Sequence, residues 1–481
     1  MSSSRAFDLN IVRVLEHWSP AHAIREVISN ALDEAALSAT PEPQTRKDAD
    51  GTWHIRDFGR GLRHEHLTQN ENAEKLAHPD LVIGKFGIGL KDALSVFDRK
   101  RFAVTIRSAH EDMTLARLPK HGFEDVTTLH VLVAPPTDAH MSGTDVAVAG
   151  VKDADIDEAK GLFLRYASDS ELERTSMGAV LKRTKGQPAR IYVNGLRVAT
   201  EDNFLFSYDV TSMSAALRRA LNRERANVGR TAYADRVKAI LLATESNAVA
   251  DALAADLARY EWGTIHDETE WLDVGLHACR ILNASAKVLF VTASEIAWSP
   301  AYIDRARGDG YRIVSVPESL AARLPRAVDI KGEPIVGIAE YMDRFRDSFQ
   351  FSFVDEADLT ARERAIFDRT ASIIALQGRK PAGLKAIRIS STMRINATGS
   401  AEAVGSWEET SGQIVIKRDQ LASLEEYAGT LLHELTHART GTYDVSREFE
   451  DALTLTAGAT ASRVIEPSML KKGRTEKPGP P

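Results

Sequence analysis

Two stretches of this chain place groups that could do chemistry on one face of a helix. The first is Ala23 to Glu34, AIREVISNALDE. Glu26 and Asn30 stand four residues apart, so they share a helix face about one turn from each other, with Asp33 one turn on. A carboxylate there can orient and deprotonate a water, and an amide oxygen can hold a hard cation such as Mg²⁺. The second stretch is Ser423 to Gly441, SLEEYAGTLLHELTHARTG. His433 and His437 are also four apart, so both imidazoles point the same way, and Glu434 sits beside them. Two imidazoles one turn apart suit a metal ion, and the neighbouring carboxylate suits a general base for a metal-polarised water.

Three further segments follow the first stretch in order. Residues 53–62, WHIRDFGRGL, read as a strand entering a turn that carries Asp57, Gly59 and Gly61. Residues 83–94, IGKFGIGLKDAL, set Gly84, Lys85, Gly87 and Gly89 ahead of a helix. Residues 142–148, SGTDVAV, put Gly143 and Thr144 before a strand. In this order the four pieces resemble the motifs of the GHKL ATPase superfamily, the group of gyrase, the large heat-shock chaperones, MutL-type repair proteins, histidine kinases and microrchidia proteins. The resemblance covers roughly the first 150 residues.

The resemblance implies a site for ATP and Mg²⁺. A carboxylate placed like Glu26 activates the attacking water, and an amide like Asn30 ligates Mg²⁺, with Asp33 nearby. An aspartate like Asp57 accepts a hydrogen bond from the adenine amino group, and Gly59 and Gly61 let the backbone approach the base. Gly84, Gly87 and Gly89 form a lid whose N–H groups suit phosphate oxygens, and Lys85 adds charge. Thr144 bonds near the adenine through an ordered water. In such proteins ATP closes the lid and pairs two ATPase domains, so a homodimer is expected.

The HExxH of the second stretch resembles the zincin metallopeptidase signature. That implies Zn²⁺ held by His433 and His437, with Glu434 as base and a third protein ligand. Ser423 with Glu426 predicts a capping box, and Gly441 a helix-ending glycine. Leu424, Tyr427, Ala428, Leu431, Leu432 and Leu435 form the apolar stripe. SREFEDALTLTAGA reads as a following helix capped by Ser446, the place from which a gluzincin draws a glutamate. Glu450 shares a flank with Leu453 and Ala457 and is preferred; helical phase leaves Glu448 open. A metzincin would use the position ten after the first histidine, where Tyr443 stands; Asp444 misses it by one but stays, with Glu448, an alternative to Glu450 as third ligand. The short interval looks more like minimal gluzincin domains. Tyr443 could donate to a developing oxyanion.

The rest of the chain must position these groups. Its 481 residues suffice for three or four domains at roughly 100–200 residues each. With 43% hydrophobic and 27% charged residues the composition is that of a globular protein. A net charge of −7 gives no basic footprint, so charge does not indicate DNA as a partner. One cysteine, Cys279, excludes an internal disulfide framework and fits a reducing, cytoplasmic setting. The opening MSSSRAFDLN lacks the apolar core of a secretory signal, and no run of about 18 apolar residues predicts a membrane span.

The expected fold is α+β and multidomain. Residues 1–168 form the GHKL α/β sandwich, 169–262 a transducer-like α/β region, 263–345 a helical segment with a small βαβ-like unit, 346–465 a mainly helical zincin domain, and 466–481 a disordered tail. Asn194-Gly195 between alternating runs is a hairpin signal. A transducer domain sends a cation to the γ-phosphate; Lys182, Arg223, Arg225 and Arg230 are the candidates, against the plain reading of a solvated basic helix face. Residues 41–52 read as a polar turn, 63–82 as lid loop, 155–166 as a helix and 359–377 as a helix. Residues 385–390 and 413–417 read as strands, and the latter is expected to be the edge that pairs with an extended peptide.

These readings combine into an ATP-regulated zinc metalloprotease acting on a protein substrate. One alternative is a microrchidia- or chaperone-like clamp on DNA or protein with a structural or sensory zinc domain. Glu434 argues against it, because a purely structural site needs no base. A second is an antiphage or stress effector in which ATP binding is the sensor and proteolysis the output.

Overall fold

The computed structural model describes residues 5–11, 17–68, 73–78, 81–84, 89–221, 228–260, 263–396 and 399–472. Lys85, Gly87, Arg223 and Arg225 lie outside these residues, as does the end of the expected tail. The chain divides into two compact units, Met1–Ser285 and Ala286–Pro481, each of mixed α/β structure. The break falls inside the expected 263–345 segment.

A seven-stranded sheet organises the front of the first unit. Its strands are β1 (Arg5–Asp8), β2 (Gln44–Lys47), β3 (Trp53–Arg56), β4 (Ala103–Ser108), β5 (Asp112–Lys120), β6 (Phe123–Ala134) and β7 (Thr144–Ala149). Their order is β1-β6-β5-β4-β7-β3-β2, with every neighbouring pair antiparallel. The helices Pro20–Ser38 and Gly89–Arg99 pack on each other and share one core with the sheet. The apolar stripe of the first helix explains this: Ile24, Val27, Ile28 and Ala31 are buried among Leu94, Phe97, Val104, Ile106, Val131 and Val146. The helix extends beyond Ala23–Glu34 because Pro20 fits its first turn and Ala39 ends it in a left-handed conformation.

Residues 41–52 are more than a turn. Gln44–Lys47 pairs with β3 as the outermost strand. Its sequence, QTRK, shows no alternation because an exposed edge strand has no buried face to fill. The 63–82 stretch holds a 3₁₀ turn, His64–Thr68, and a short helix, Ala73–Ala77. The helix expected over 155–166 is Asp153–Lys160, followed by a 3₁₀ turn at Leu164–Tyr166.

A second sheet follows in the same unit: β8 (Glu171–Thr175), β9 (Gly178–Leu181), β10 (Ala189–Val193), β11 (Leu196–Glu201) and β12 (Ser207–Val210), in the order β11-β10-β12-β9-β8. The β10–β11 turn is the one read from sequence, with Asn194 and Gly195 at φ 49° and 76°. Asn194 Nδ2 donates to the Val82 carbonyl at 3.0 Å, which ties this hairpin to the segment entering the glycine run. The helices Asn247–Leu257 and Leu272–Ser285 pack against each other, with Cys279 buried on the second.

The second unit opens with the expected βαβ: β13 (Val288–Val291) and β14 (Arg312–Ser315) are parallel, with the helix Pro300–Gly308 between them. A four-stranded sheet follows, of β15 (Phe353–Val354), β16 (Ala386–Ser390), β17 (Gly405–Glu408) and β18 (Gln413–Lys417), in the order β15-β16-β18-β17. The strand QIVIK is therefore interior, paired on both sides, and corrects the expectation that it is the edge. Its uninterrupted buried run, Ile414 to Ile416, is what an interior strand looks like. The 359–377 stretch forms two helices, Ala361–Phe367 and Thr370–Gln377. Leu424–Thr440 packs on the sheet through Tyr427, Leu431 and Leu435, while Leu424 is exposed. The last helix, Arg447–Lys472, runs past the expected start of the tail at 466. No helix among the described residues is long and apolar enough to cross a membrane.

Candidate functional site

A cleft of about 620 Å³ lies in the first unit. Asn30, Asp57, Gly61 and Thr144 line it, together with Glu34, Arg60, His66, Glu74 and Lys75. Asp57 follows β3 and is buried. Its Oδ1 accepts the N–H groups of Gly59 at 2.9 Å and Thr144 at 3.2 Å. The Thr144 hydroxyl accepts the Leu62 N–H at 3.0 Å, and its carbonyl accepts the Asp57 N–H at 3.0 Å. These bonds fix the end of β3 against the start of β7. Burial pushes the Asp57 carboxyl above its usual range, and the two N–H donors pull it back.

Other candidates stand behind the cleft wall. Glu26 is buried, and Arg25 donates to its Oε1 from Nε at 3.0 Å and Nη2 at 2.7 Å. The other oxygen, Oε2, lies against Gly89, the first residue of its helix; a Cβ there would meet it at 2.2 Å. Only glycine permits that approach, so Glu26 is directed at a helix N-terminus, where anions collect. Asp33 is buried too. Its Oδ1 accepts the Ile83 N–H at 2.6 Å and its Oδ2 the Gly84 N–H at 2.8 Å. It thus anchors the backbone entering the glycine run. Gly59 lies against the Glu34 side chain and is not part of the cleft lining.

The γ-phosphate candidates that are described lie away from the cleft lining. Arg230 pairs with Glu201 and with Asp267, both on the second sheet's side of the unit. Lys182 is exposed just after β9.

In the second unit, the helix Leu424–Thr440 starts at Ser423, whose hydroxyl accepts the Glu426 N–H at 3.1 Å. It ends at Gly441, left-handed at φ 66°. His433 and His437 project together, as their spacing requires. The third member of their cluster is Asp444, not the expected Glu450. Asp444 Oδ1 lies 3.0 Å from His433 Nε2 and 3.1 Å from His437 Nε2, and the two Nε2 atoms are 3.2 Å apart. Glu448 and Glu450 are exposed; the last helix instead turns buried Phe449 to the histidines. Asp444 reaches them because the loop after Gly441 folds back, with Val445 also left-handed at φ 65°.

These three atoms fit a metal. His437 Nδ1 lies 2.7 Å from the Thr442 carbonyl, which can only accept, so Nδ1 carries a proton and Nε2 is the nitrogen left to face a metal. Burial holds the His433 imidazole below its usual range, against the pull of Asp444. Two imidazole nitrogens and a carboxylate oxygen, all of the kinds that zinc takes, thus converge on one point. Three ligands at about 2.0–2.1 Å from a tetrahedral zinc stand roughly 3.3 Å apart, close to the separations seen.

Glu434 is buried beside the cluster. Burial, then the Asp444 charge, pushes its carboxyl up to about 8, and the Trp407 N–H of β17 pulls it back. Strand β17 comes close because Gly405 lacks a side chain: a Cβ there would meet Glu434 Oε1 and Thr430 at 2.7 Å. The outer strand beside Glu434 is therefore β17. Sequence reasoning missed Gly405 and Phe449; a glycine opening a short strand was the available signal for the first.

The family comparison bears on the middle of the chain. The family described as Mycoplasma pneumoniae MPN635 N-terminal domain matches residues 154–247, which hold the second sheet and neither candidate site. A Mycoplasma pneumoniae protein, described as uncharacterized, is 35% identical over 241 residues, 49% of this chain and 96% of its own length. A second from the same organism is 31% identical over 166 residues, 34% of this chain and 46% of its own length. A third is 27% identical over 175 residues, 36% of this chain and 92% of its own length.

Proposed function

This chain belongs to the family of that 35%-identical Mycoplasma pneumoniae protein, and we propose that it is an ATP-regulated zinc metalloprotease. The observation that carries the reading is the convergence of His433, His437 and Asp444 beside buried Glu434. In this reading those three residues hold zinc. Zinc, when bound, supplies a Lewis acid and lowers the pKa of water toward about 7. Glu434, buried beside the three ligands, would take the proton of the attacking water and pass it to the leaving amine. An extended protein substrate pairs along β17, and Tyr443, 86% exposed on the adjoining loop, is the candidate oxyanion donor.

The cleft of the first unit supports the regulatory half. Asp57 would accept from the adenine amino group, Asn30 would hold Mg²⁺, and Glu26, oriented by Arg25, would activate water for ATP hydrolysis. Arg230, already paired twice, is a weak γ-phosphate sensor, and the regulatory step is expected to include pairing of two chains. Nucleotide state then gates the peptidase.

The test is incubation of the full chain with a protein library, with and without ATP, Mg²⁺ and DNA. Zinc-dependent cleavage that responds to ATP and vanishes in Glu434→Gln is the expected result. Cleavage indifferent to ATP removes the gating. ATPase activity without any cleavage puts the clamp reading in its place.

A further inference from the structure

The cleft already holds a cation of the protein's own. Lys75 sits on the short helix Ala73–Ala77 with its side chain 12% exposed. Its Nζ donates to Asp33 Oδ2 at 2.7 Å and to Asn30 Oδ1 at 3.1 Å. The neighbouring Glu74 pairs with Arg60 at 3.0 Å, and Arg60 pairs with Glu34 at 2.8 Å. Two adjacent residues of one short helix thus grip the first helix, one directly and one through Arg60.

The oxygen that Lys75 engages is the one a metal–nucleotide complex needs. Mg²⁺ binds oxygen at about 2.0–2.1 Å and demands near-octahedral geometry. An ion so placed on Asn30 Oδ1, and an ammonium 3.1 Å from that same oxygen, stand at most about 5 Å apart. Two cations that close in a partly buried cleft repel, and salt screens them little.

We propose that Lys75 is a built-in competitor of Mg²⁺ at Asn30. It holds Asn30 and Asp33 together; for metal and nucleotide to bind, it must leave Asn30. This rests on the reading of the cleft as an ATP site. The lysine sets the Mg²⁺ concentration at which nucleotide is accepted. It also links metal arrival to the backbone at Ile83 and Gly84, because Asp33 carries both Lys75 and those two N–H groups.

The test is calorimetric titration of a non-hydrolysable ATP analogue into the full chain at a series of MgCl₂ concentrations. Wild type, Lys75→Met and Lys75→Arg are compared, with Lys75→Gln as a second neutral variant and circular dichroism to check folding. The neutral variants should reach half-maximal binding at about tenfold less Mg²⁺ or lower, the scale of one charge-assisted hydrogen bond, while Lys75→Arg stays near wild type. Unaltered Mg²⁺ dependence in the neutral variants overturns the proposal and leaves the nucleotide site standing. Weaker binding at saturating Mg²⁺ also overturns it, by making Lys75 a phosphate ligand. If no protein binds the analogue at any Mg²⁺ concentration, the ATP reading falls and this proposal falls with it.

Discussion

The ring of Phe449 lies stacked on that of His437, with centroids 4.1 Å apart and planes 13° apart. The same ring meets His433 edge-on at 4.8 Å. One apolar side chain therefore fixes the attitude of both imidazoles. Phe449→Ala should destabilise the second unit by roughly 3–5 kcal/mol and weaken zinc binding, while Phe449→Leu keeps most of both. Denaturant unfolding and competition with a zinc chelator measure the two effects. Undiminished zinc affinity in Phe449→Ala would show that the stack does not orient the histidines.

Asp444 and Glu450 make opposite predictions. Asp444→Asn should lose zinc binding by one to two orders of magnitude or more, whereas Glu450→Gln and Glu448→Gln should keep about one zinc per chain. Elemental analysis after dialysis decides. Zinc lost from Glu450→Gln and kept in Asp444→Asn reverses the assignment made from the structure.

Glu434→Gln should keep its zinc, because Glu434 is no ligand, and lose peptidase activity by roughly two to four powers of ten. Peptide-cleavage rates beside metal content separate these roles. Full activity in this variant removes the peptidase reading.

Val445 holds φ 65° while 95% exposed. A β-branched residue is strained there and gains little burial in return. Val445→Asn should raise stability by roughly 1 kcal/mol, since asparagine tolerates the left-handed region. A lower unfolding midpoint in this variant would mean that the valine side chain makes an interaction of its own.

Acid should weaken the second unit in a defined window. Arg418 donates to Glu363 at 2.8 and 3.0 Å, and the Thr360 N–H adds a bond at 2.8 Å. Chiefly through Arg418, the Glu363 carboxyl is held down to about 2 from its ordinary 4.5. Because the folded value is the lower one, this stabilisation is full above about 4.5 and is lost as pH falls toward 2. The pair is partly exposed, so the effect is modest. Unfolding of wild type and Glu363→Gln followed from pH 6 to roughly pH 3 should show their stability difference shrinking. A constant difference would assign the effect to packing.

Periodicity made the helices legible. The stripe Ile24, Val27, Ile28 and Ala31 is buried where its spacing placed it, and so are Tyr427, Leu431 and Leu435. The Asn194-Gly195 turn was legible for the same local reason: its residue types match its backbone. What escaped depends on partners distant in sequence. The polar strand β2 has no face to bury, and β18 is interior only because β17 and β16 flank it. Among the third-ligand candidates the shared helix flank favoured Glu450 over the alternatives Glu448 and Asp444, whereas the structure brings Asp444 in beside a left-handed valine, a conformation that no residue pattern announces.

Cys279 gives the first unit a reporter of its own. The thiol is buried against the helix pair, and burial pushes it up to about 12. A thiol reagent at neutral pH therefore reaches it only when those helices part, and the labelling rate reads the free energy of that opening. Since the chain has one cysteine, the signal carries no background from other thiols. Labelling with and without nucleotide would show whether binding in the cleft tightens a helix pair far along the chain.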